Sequence, residues 1–165
     1  MSDDIVILSG ARTAIGTFGG SLAGTPTTTL GATVARAALE RAGVEGGQIG
    51  HVVFGNVINT EPRDMYVSRV AAMDVNRLCG SGVQAIISAV QSLMLGDADF
   101  ALAGGAENMS RAPYILPAAR WGQKMGDVGA VDMLLGTLNC PFGTGHMGVT
   151  AENVAGEHDV SREEQ

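Results

Sequence analysis

The feature that most constrains the fold is the alternation of short apolar runs with segments of helical periodicity. Apolar runs lie at 5–8, 52–54 and 99–105, and helical patterns lie at 30–42 and 80–95. Short continuous apolar runs are typical of strands that are buried on both faces. Because strands that alternate with helices form parallel sheets with right-handed crossovers, we expect an α/β fold with a mainly parallel sheet.

The helix predicted over 80–95 has the clearest pattern. Its apolar residues recur at helical spacing, and Gly96 is a suitable stop. A very short extended piece leads into it from residue 75. For the helix over 30–42, we expect Thr29 as the N-cap and Gly43 as the left-handed residue that ends it.

The composition argues against several classes of protein. Of the 165 residues, 45% are apolar and 16% are charged, which argues against disorder. The net charge of −7 offers no basic surface to nucleic acid and would be repelled by an anionic membrane. No apolar run is long enough to span a bilayer, and the acidic N-terminus does not resemble a signal peptide. We therefore expect a cytoplasmic protein.

The chain has two cysteines, Cys79 and Cys140, and their spacing is not that of a metal site. A disulfide framework is not expected, which favours a reduced compartment. We predict no bound metal. Cys140 precedes Pro141 in a segment without clear periodicity, and we interpret it as a small buried or loop residue.

The composition and residue pattern of the sequence change after about Met109. The segment 112–145 has scattered Pro, Gly and Met residues and no sustained hydrophobic periodicity, which indicates a loop-rich segment. We therefore predict two parts, 1–111 and 112–165. Near the end, Ser161 and Glu164 have the spacing of a capping box, which predicts a helix that starts there. We expect from this that the sequence is truncated.

Cys79 is the main candidate for chemistry. It is predicted to lie where a strand meets the first turn of the helix over 80–95, and free N–H groups there favour a thiolate and can hold an oxyanion. Gly80 and Gly82 leave space for an acyl group beside the sulfur. The residues alone leave two interpretations open, a nucleophile and a buried structural cysteine.

A competing motif overlaps this site. Residues 80–85 fit the GxGxxA pattern of a dinucleotide-binding turn. That pattern also needs an acidic residue at the far end of the next strand, whereas Asp97 and Asp99 lie just before it. The motif strand would also normally be the first of the sheet. We therefore favour the nucleophile over nucleotide binding.

Five segments, in order along the chain, resemble signatures of the thiolase family, which includes acetyl-CoA acetyltransferases and 3-ketoacyl-CoA thiolases. The segment around Cys79 is similar to the family's acyl-enzyme motif. A sixth segment, 61–66, most resembles bacterial β-ketothiolases that supply polyhydroxyalkanoate precursors. The five are RTAIGTFGG at 12–20, FGNV at 54–57, NRLCGSG at 76–82, GGAENMS at 104–110 and HMGVTAEN at 146–153.

The resemblance implies a function for these residues. Cys79 would attack the carbonyl of an acyl-CoA or 3-ketoacyl-CoA and carry the acyl group as a thioester, and its backbone N–H would form half of an oxyanion hole. His146 and Met147 would line the acyl and pantetheine end of the pocket. Coenzyme A thioesters would be substrates, with no further cofactor. His51 and His158 match no motif, and we interpret them as strand-edge and surface residues.

The resemblance also implies an architecture. We expect an incomplete N-terminal βαβα half of the thiolase fold over 1–111, followed by the beginning of the loop domain over 112–165. The segment 112–145 corresponds to the family's tetramerisation region, so we expect a homo-oligomer, a dimer or a tetramer. Fatty acid metabolism is the broad pathway that the family implies.

The sequence departs from the family in two ways. The catalytic histidine of the GHP motif and the second cysteine of the CxGGG motif are absent, and about a dozen residues are missing before Val75. We expect negligible turnover from this chain alone. The alternative is a catalytically inert truncated chain that acts only in subunit assembly, whereas a ketoacyl synthase is disfavoured. Acyl-chain length and reaction direction stay open.

Overall fold

The computed structural model describes residues 4–66 and 73–165. By contacts within the chain it divides into two compact units, Met1–Arg111 and Ala112–Gln165. The sequence of residues 63–73 also has a weakly helical pattern, and most of this segment falls outside the described residues. Its first part is a short 3-10 helix, Pro62–Tyr66, and its last residue, Met73, begins a strand.

The centre of the first unit is a three-stranded sheet. It consists of β1 (Ile49–Gly55), β2 (Met73–Val75) and β3 (Phe100–Gly105), in the order β2-β1-β3. Both pairings are parallel, and Val53 lies opposite Met73 on one side and Ala103 on the other. The prediction of a parallel sheet is confirmed. The three strand ends meet at one edge of the sheet, near Gly55, Val75 and Gly105.

Two helices flank the sheet, α1 (Thr27–Ala42) and α2 (Ser81–Met94). Val53 of β1 packs with Ala85 and Ala89 of α2, whereas the neighbouring Phe54 packs against Ala35 of α1. Because successive residues of a strand face opposite sides of a sheet, the two helices cover opposite faces of β1. This is a three-layer α/β/α arrangement.

The boundaries of α1 correct one prediction. The helix begins at Thr27 after Pro26, which occupies the N-cap position without a side-chain cap. Thr29 is therefore in the first turn, where its carbonyl accepts a hydrogen bond from the Thr33 hydroxyl. The fixed φ of proline suits this position, and a threonine cap is not needed. Gly43 ends the helix with φ 65°, as predicted.

The prediction of a buried strand at residues 5–8 is wrong. The segment has no ladder partner among the described residues, and Val6, Ile7 and Leu8 are 67%, 84% and 56% exposed. A cavity of about 760 Å³ separates it from β3 and from the apolar sides of α1 and α2. An apolar run forms a buried strand only when a neighbouring strand pairs with it. Here the segment is attached through the Ser9 hydroxyl, which donates to the Ala38 carbonyl at 2.6 Å.

The second unit contains short elements. Two antiparallel pairs, β4 with β5 and β6 with β7, alternate with two helices. Ser161 and Glu164 form the reciprocal hydrogen bonds of the expected capping box, but residues 162–164 form a turn and not the helix that was predicted to start there. Among the helices of the described residues, none is long and apolar enough to cross a membrane. The elements are β4 Tyr114–Ile115, β5 Val131–Asp132, α3 Met133–Leu138, β6 Asn139–Cys140, β7 Gly145–His146 and α4 Met147–Glu157.

The contact between β1 and α2 generates a prediction. A Cβ added to Gly55 would lie 2.8 Å from both the carbonyl carbon and the Cβ of Ser81. We expect Gly55→Ala to lower the free energy of unfolding by about 1–3 kcal/mol, because the first turn of α2 must move away from the sheet. Urea unfolding followed by circular dichroism measures this change.

Gly82→Ala is the matched control, because a Cβ there has no atom within 4 Å. This substitution should be neutral or stabilising by up to about 1 kcal/mol, since alanine favours the helix. Equal effects of the two substitutions would contradict a specific contact at Gly55.

Candidate active site

Cys79 is exposed, between the end of β2 and the start of α2. Gly80 is the N-cap residue of α2, and the first helical hydrogen bond runs from the Gln84 N–H to the Gly80 carbonyl. The N–H groups of Cys79, Gly82 and Val83 donate to no acceptor among the described residues. The thiol therefore lies beside free donors at the positive end of a helix of fourteen residues.

The residue before the cysteine has an unusual backbone. Leu78 has φ 49°, in the left-handed region, and Asp159 is the other non-glycine residue with a positive φ among those described. The Leu78 N–H donates to Asn76 Oδ1 at 3.1 Å, and its carbonyl accepts from Ser81 Oγ at 2.6 Å. Ser81 Oγ also accepts from the Arg77 N–H at 2.9 Å. The Leu78 N–H is thus held by a side chain, and its carbonyl accepts from both the Oγ of Ser81 and the Ser81 N–H, the latter at 3.0 Å.

A second set of contacts joins this turn to the edge of the sheet. Asn76 Nδ2 donates to the Val57 carbonyl at 3.3 Å, just beyond β1. The carboxylate of Glu107, beyond β3, accepts from the N–H groups of Val57 at 2.8 Å and Ile58 at 3.3 Å. The segments that follow β1, β2 and β3 are therefore connected by the side chains of Asn76 and Glu107.

The Glu107 carboxylate lies in an acidic neighbourhood. Burial is the main cause that raises the pKa of this group above its usual value of 4.5, and the negative charge of Asp64 raises it further. The N–H donors of Val57 and Ile58 act in the opposite direction. Asp64 is itself fully buried, and one of its oxygens accepts from both the backbone and the hydroxyl of Thr60.

The predicted substrate-binding residues His146 and Met147 belong to the second unit. His146 is the N-cap of α4, and its Nδ1 accepts from the Gly148 N–H at 3.0 Å. This contact needs an unprotonated Nδ1, which puts the proton of a neutral ring on Nε2. Met147 begins α4 and is 37% exposed. The geometry thus gives His146 a capping role, and substrate binding stays a prediction.

The structure also shows the surroundings of the two motif glycines and of the other two histidines. A Cβ on Gly82 would meet nothing within 4 Å, and the atom nearest to one on Gly80 would be the Arg77 carbonyl oxygen at 3.4 Å. His51 is in β1, half-buried, and His158 is exposed at the end of α4. Within 4–66 and 73–165, no three His, Cys, Asp or Glu side chains are grouped as a metal site would need.

Sequence reasoning missed the residues that shape the turn. Asn76 and Ser81 were recognised as parts of a motif, but no role followed from their identity. The available signal was their spacing around Leu78, because Asn and Ser side chains commonly bond to backbone groups two or three residues away. The left-handed conformation of a leucine has no comparable signal, since leucine rarely adopts it.

The fold and the site define an α/β chain with an exposed cysteine at a helix N-terminus. The family model for the thiolase N-terminal domain matches residues 5–165. The chain therefore belongs to the thiolase family. This match, together with the structural neighbours, also confirms the predicted α/β thiolase fold.

Two relatives are from Cupriavidus necator. The chain is 61% identical to its beta-ketothiolase BktB over 100% of this chain and 45% of the relative. It is 46% identical to an acetyl-CoA acetyltransferase over 98% of this chain and 44% of the relative. The first alignment extends over 176 positions and so contains gaps in this chain of 165 residues. The expected loss of about a dozen residues before Val75 stays a prediction.

Solved thiolase structures have the same fold. Human mitochondrial 3-ketoacyl-CoA thiolase in complex with CoA superposes with a TM-score of 0.87 at 35% identity, over 95% of this chain and 43% of that chain. The Bacillus anthracis acetyl-CoA acetyltransferase gives 0.85 at 34% identity, over 96% and 43%. The chain thus spans less than half the length of the relatives it matches.

Glu107 generates a prediction about pH. Because its pKa is higher in the folded chain than in the unfolded chain, ionisation costs folding free energy. This cost is absent below the usual pKa and complete above the raised one. The difference in unfolding free energy, wild type minus Glu107→Gln, should therefore fall as the pH rises from below 4.5 through the raised pKa of Glu107. Urea titrations at several pH values measure it.

Glu40→Gln, exposed on α1, serves as the control for the loss of one negative charge. A difference for Glu107→Gln that stays constant or rises with pH would contradict the assignment.

Cys140 generates a second prediction. The Thr144 hydroxyl, followed by N–H groups of the turn at Phe142, Thr144 and Gly143, lowers the pKa of the Cys140 thiol. More thiolate at neutral pH should make Cys140 react faster with iodoacetamide in the folded Cys79→Ala chain than after unfolding in urea. Mass spectrometry at about pH 7 follows the labelling.

Thr144→Val should slow this labelling because it removes the hydroxyl. An unfolded chain that reacts as fast as the folded one would refute the hydrogen-bonded thiolate.

Proposed function

We propose that this chain carries the acyl-accepting part of a thiolase-type acyltransferase, with Cys79 as the nucleophile. The observation that carries the proposal is the position of the exposed thiol at the start of α2, beside N–H groups that have no acceptor within 4–66 and 73–165. A thioester carbonyl that approaches the sulfur there would develop negative charge next to those donors. The site lies within the stretch that matches the thiolase N-terminal domain.

The chemistry at Cys79 is the transfer of an acyl group between two sulfur atoms. The Cys79 thiolate attacks the carbonyl carbon of an acyl-CoA, and the Cys79 N–H binds the oxyanion. When the intermediate collapses, the bond to the coenzyme A sulfur breaks, and coenzyme A leaves as a thiolate that takes up a proton. The acyl group remains on Cys79 as a thioester. With a 3-ketoacyl-CoA, the thiolate attacks the 3-keto carbonyl carbon instead, the bond between C2 and C3 breaks, and acetyl-CoA leaves as an enolate that takes up a proton.

Coenzyme A thioesters are the proposed substrates, with no further cofactor. The names of the relatives support this choice, because they are acetyl-CoA acetyltransferases and a beta-ketothiolase, and one solved neighbour holds CoA. We propose that His146 and Met147 line the acyl and pantetheine end of the pocket. By resemblance to the family we further propose a homo-oligomer, a cytoplasmic location and a role in fatty acid or polyhydroxyalkanoate metabolism.

The second candidate is an inert chain that acts only in subunit assembly. One observation favours it: within the described residues no side chain forms a hydrogen bond with Cys79 that would let it remove the thiol proton. A thiolase also needs a base and a second proton carrier. In the family, these residues belong to segments that this chain does not match.

Incubation with acetyl-CoA, followed by intact mass measurement, tests the proposal. We expect the wild-type chain to gain one acetyl group slowly, because the thiol proton can pass to water and the Cys79 N–H can bind the oxyanion without the catalytic base. We expect no multiple turnover, since the second proton carrier is missing. Peptide mapping identifies the modified residue.

Cys140→Ser is the matched control for Cys79→Ser. The adduct should persist in the first variant and disappear in the second. A wild-type chain that gains no acetyl group would favour the inert alternative, and an adduct that survives Cys79→Ser would assign the chemistry elsewhere.

A further inference from the structure

The turn before Cys79 is held by polar contacts and not by apolar packing. The Leu78 side chain is 58% exposed, although leucine is an apolar residue. A left-handed φ of 49° is unfavourable for a residue with a Cβ, and burial of the side chain does not compensate for it here. The groups that hold this conformation are therefore those that bind the Leu78 backbone.

Ser81 is the first of these groups. Its hydroxyl donates to the Leu78 carbonyl at 2.6 Å and accepts from the Arg77 N–H at 2.9 Å, so it bridges the two sides of the turn. The Ser81 N–H donates to the same carbonyl at 3.0 Å, and the hydroxyl adds the link to Arg77 that this backbone bond lacks. The residue is 4% exposed, and its Cβ and carbonyl carbon lie close to Gly55 of β1. Contact with the sheet therefore fixes the position of Ser81.

Asn76 is the second group. Its Oδ1 accepts from the Leu78 N–H at 3.1 Å, and its Nδ2 donates to the Val57 carbonyl at 3.3 Å. The N–H of Val57 in turn donates to the Glu107 carboxylate at 2.8 Å. Asn76 thus connects the turn to the carboxyl edge of the sheet. Leu78 is restrained through its N–H by Asn76 and through its carbonyl by Ser81.

The peptide between Leu78 and Cys79 sets two directions that matter for acyl transfer. It contains the Leu78 carbonyl and the Cys79 N–H, so a rotation of this peptide turns the N–H that faces the oxyanion. The same rotation changes the direction of the Cys79 Cα–Cβ bond and moves the sulfur. Small errors in such geometry lower reaction rates steeply.

We propose that Asn76 and Ser81 are positioning residues that hold Leu78 in its left-handed conformation and thereby aim the Cys79 sulfur and N–H at the same carbonyl group. This inference rests on the proposed role of Cys79 as an acyl acceptor. It adds two residues that touch neither the substrate nor the reacting sulfur and act through the Leu78 backbone.

The test compares two reagents at the same thiol. With p-nitrophenyl acetate, the Cys79 sulfur attacks the ester carbonyl, a carbon–sulfur bond forms, p-nitrophenolate leaves, and the thiol proton goes to water. This reaction passes through an oxyanion but needs no coenzyme A pocket. Iodoacetamide alkylates the sulfur by displacement of iodide without an oxyanion. Peptide mass spectrometry gives both rates at Cys79, with Cys140 as an internal reference thiol in the other unit.

We expect Ser81→Ala and Asn76→Ala to lower the rate of acetylation at Cys79 by about tenfold or more, with alkylation changed by less than about threefold. Asn76→Asp keeps the acceptor for the Leu78 N–H and should retain more of the acetylation rate than Asn76→Ala. Ser92→Ala, which removes a hydroxyl near the other end of the same helix, should leave both rates unchanged.

A second variant tests the left-handed conformation itself. Asparagine tolerates this conformation better than leucine does. Leu78→Asn in the Ser81→Ala background should therefore restore part of the lost acetylation rate. Circular dichroism checks that the variants are folded, and amide hydrogen exchange of α2 checks that the helix is not loosened.

The possible outcomes distinguish the positioning role of Asn76 and Ser81 from the proposed acyl transfer at Cys79. Acetylation and alkylation that fall in parallel would assign Asn76 and Ser81 a structural role only and overturn the inference, as would an unchanged acetylation rate. A wild-type chain that reacts with p-nitrophenyl acetate but not with acetyl-CoA would contradict the proposed function while the positioning of Cys79 is still measured.

Discussion

The rest of the structure depends on the close approach of α2 to the end of β1. A side chain at Gly55 would overlap the first turn of α2, and the alanines Ala85 and Ala89 continue the contact along the helix. Small residues on both sides let the helix lie directly on the sheet, where buried surface and dense packing stabilise it. The approach also fixes Ser81, and with it the turn that presents Cys79.

The same edge of the sheet collects the polar contacts of the first unit. The segments that leave β1, β2 and β3 are joined through Asn76 and Glu107. The parallel arrangement is the reason, because it brings all three carboxyl ends to one side, where unpaired backbone groups need partners. Burial of the Glu107 carboxylate among these contacts raises its pKa, and the nearby negative charge of Asp64 raises it further. The hydrogen bonds that join the strand ends therefore also hold the turn that precedes Cys79.

Prediction from sequence succeeded where a segment with the expected apolar pattern also has a neighbouring element to pack against. The helix predicted over 80–95 exists as Ser81–Met94, because its apolar positions have a sheet to pack against. The segment 5–8 has an equally apolar pattern, yet it is exposed beside a cavity, since the described residues offer it no strand partner. Thr29 failed as a cap because Pro26 already sets the backbone angle there. The two compact units divide between residues 111 and 112, and the domain roles predicted for them remain predictions.

The sequence by itself determined the family, the α/β class and the cysteine to consider, because motif order and periodicity are properties of the chain. It also determined that the glycines around Cys79 leave space near the sulfur. Only the tertiary structure decided that Leu78 is left-handed, that Asn76 and Ser81 hold it, and that Glu107 connects to the same network. The bonds to Leu78 are local, but Asn76 and Glu107 are held by contacts with Val57, 19 and 50 residues away along the chain, and these form only when the sheet brings the strand ends together.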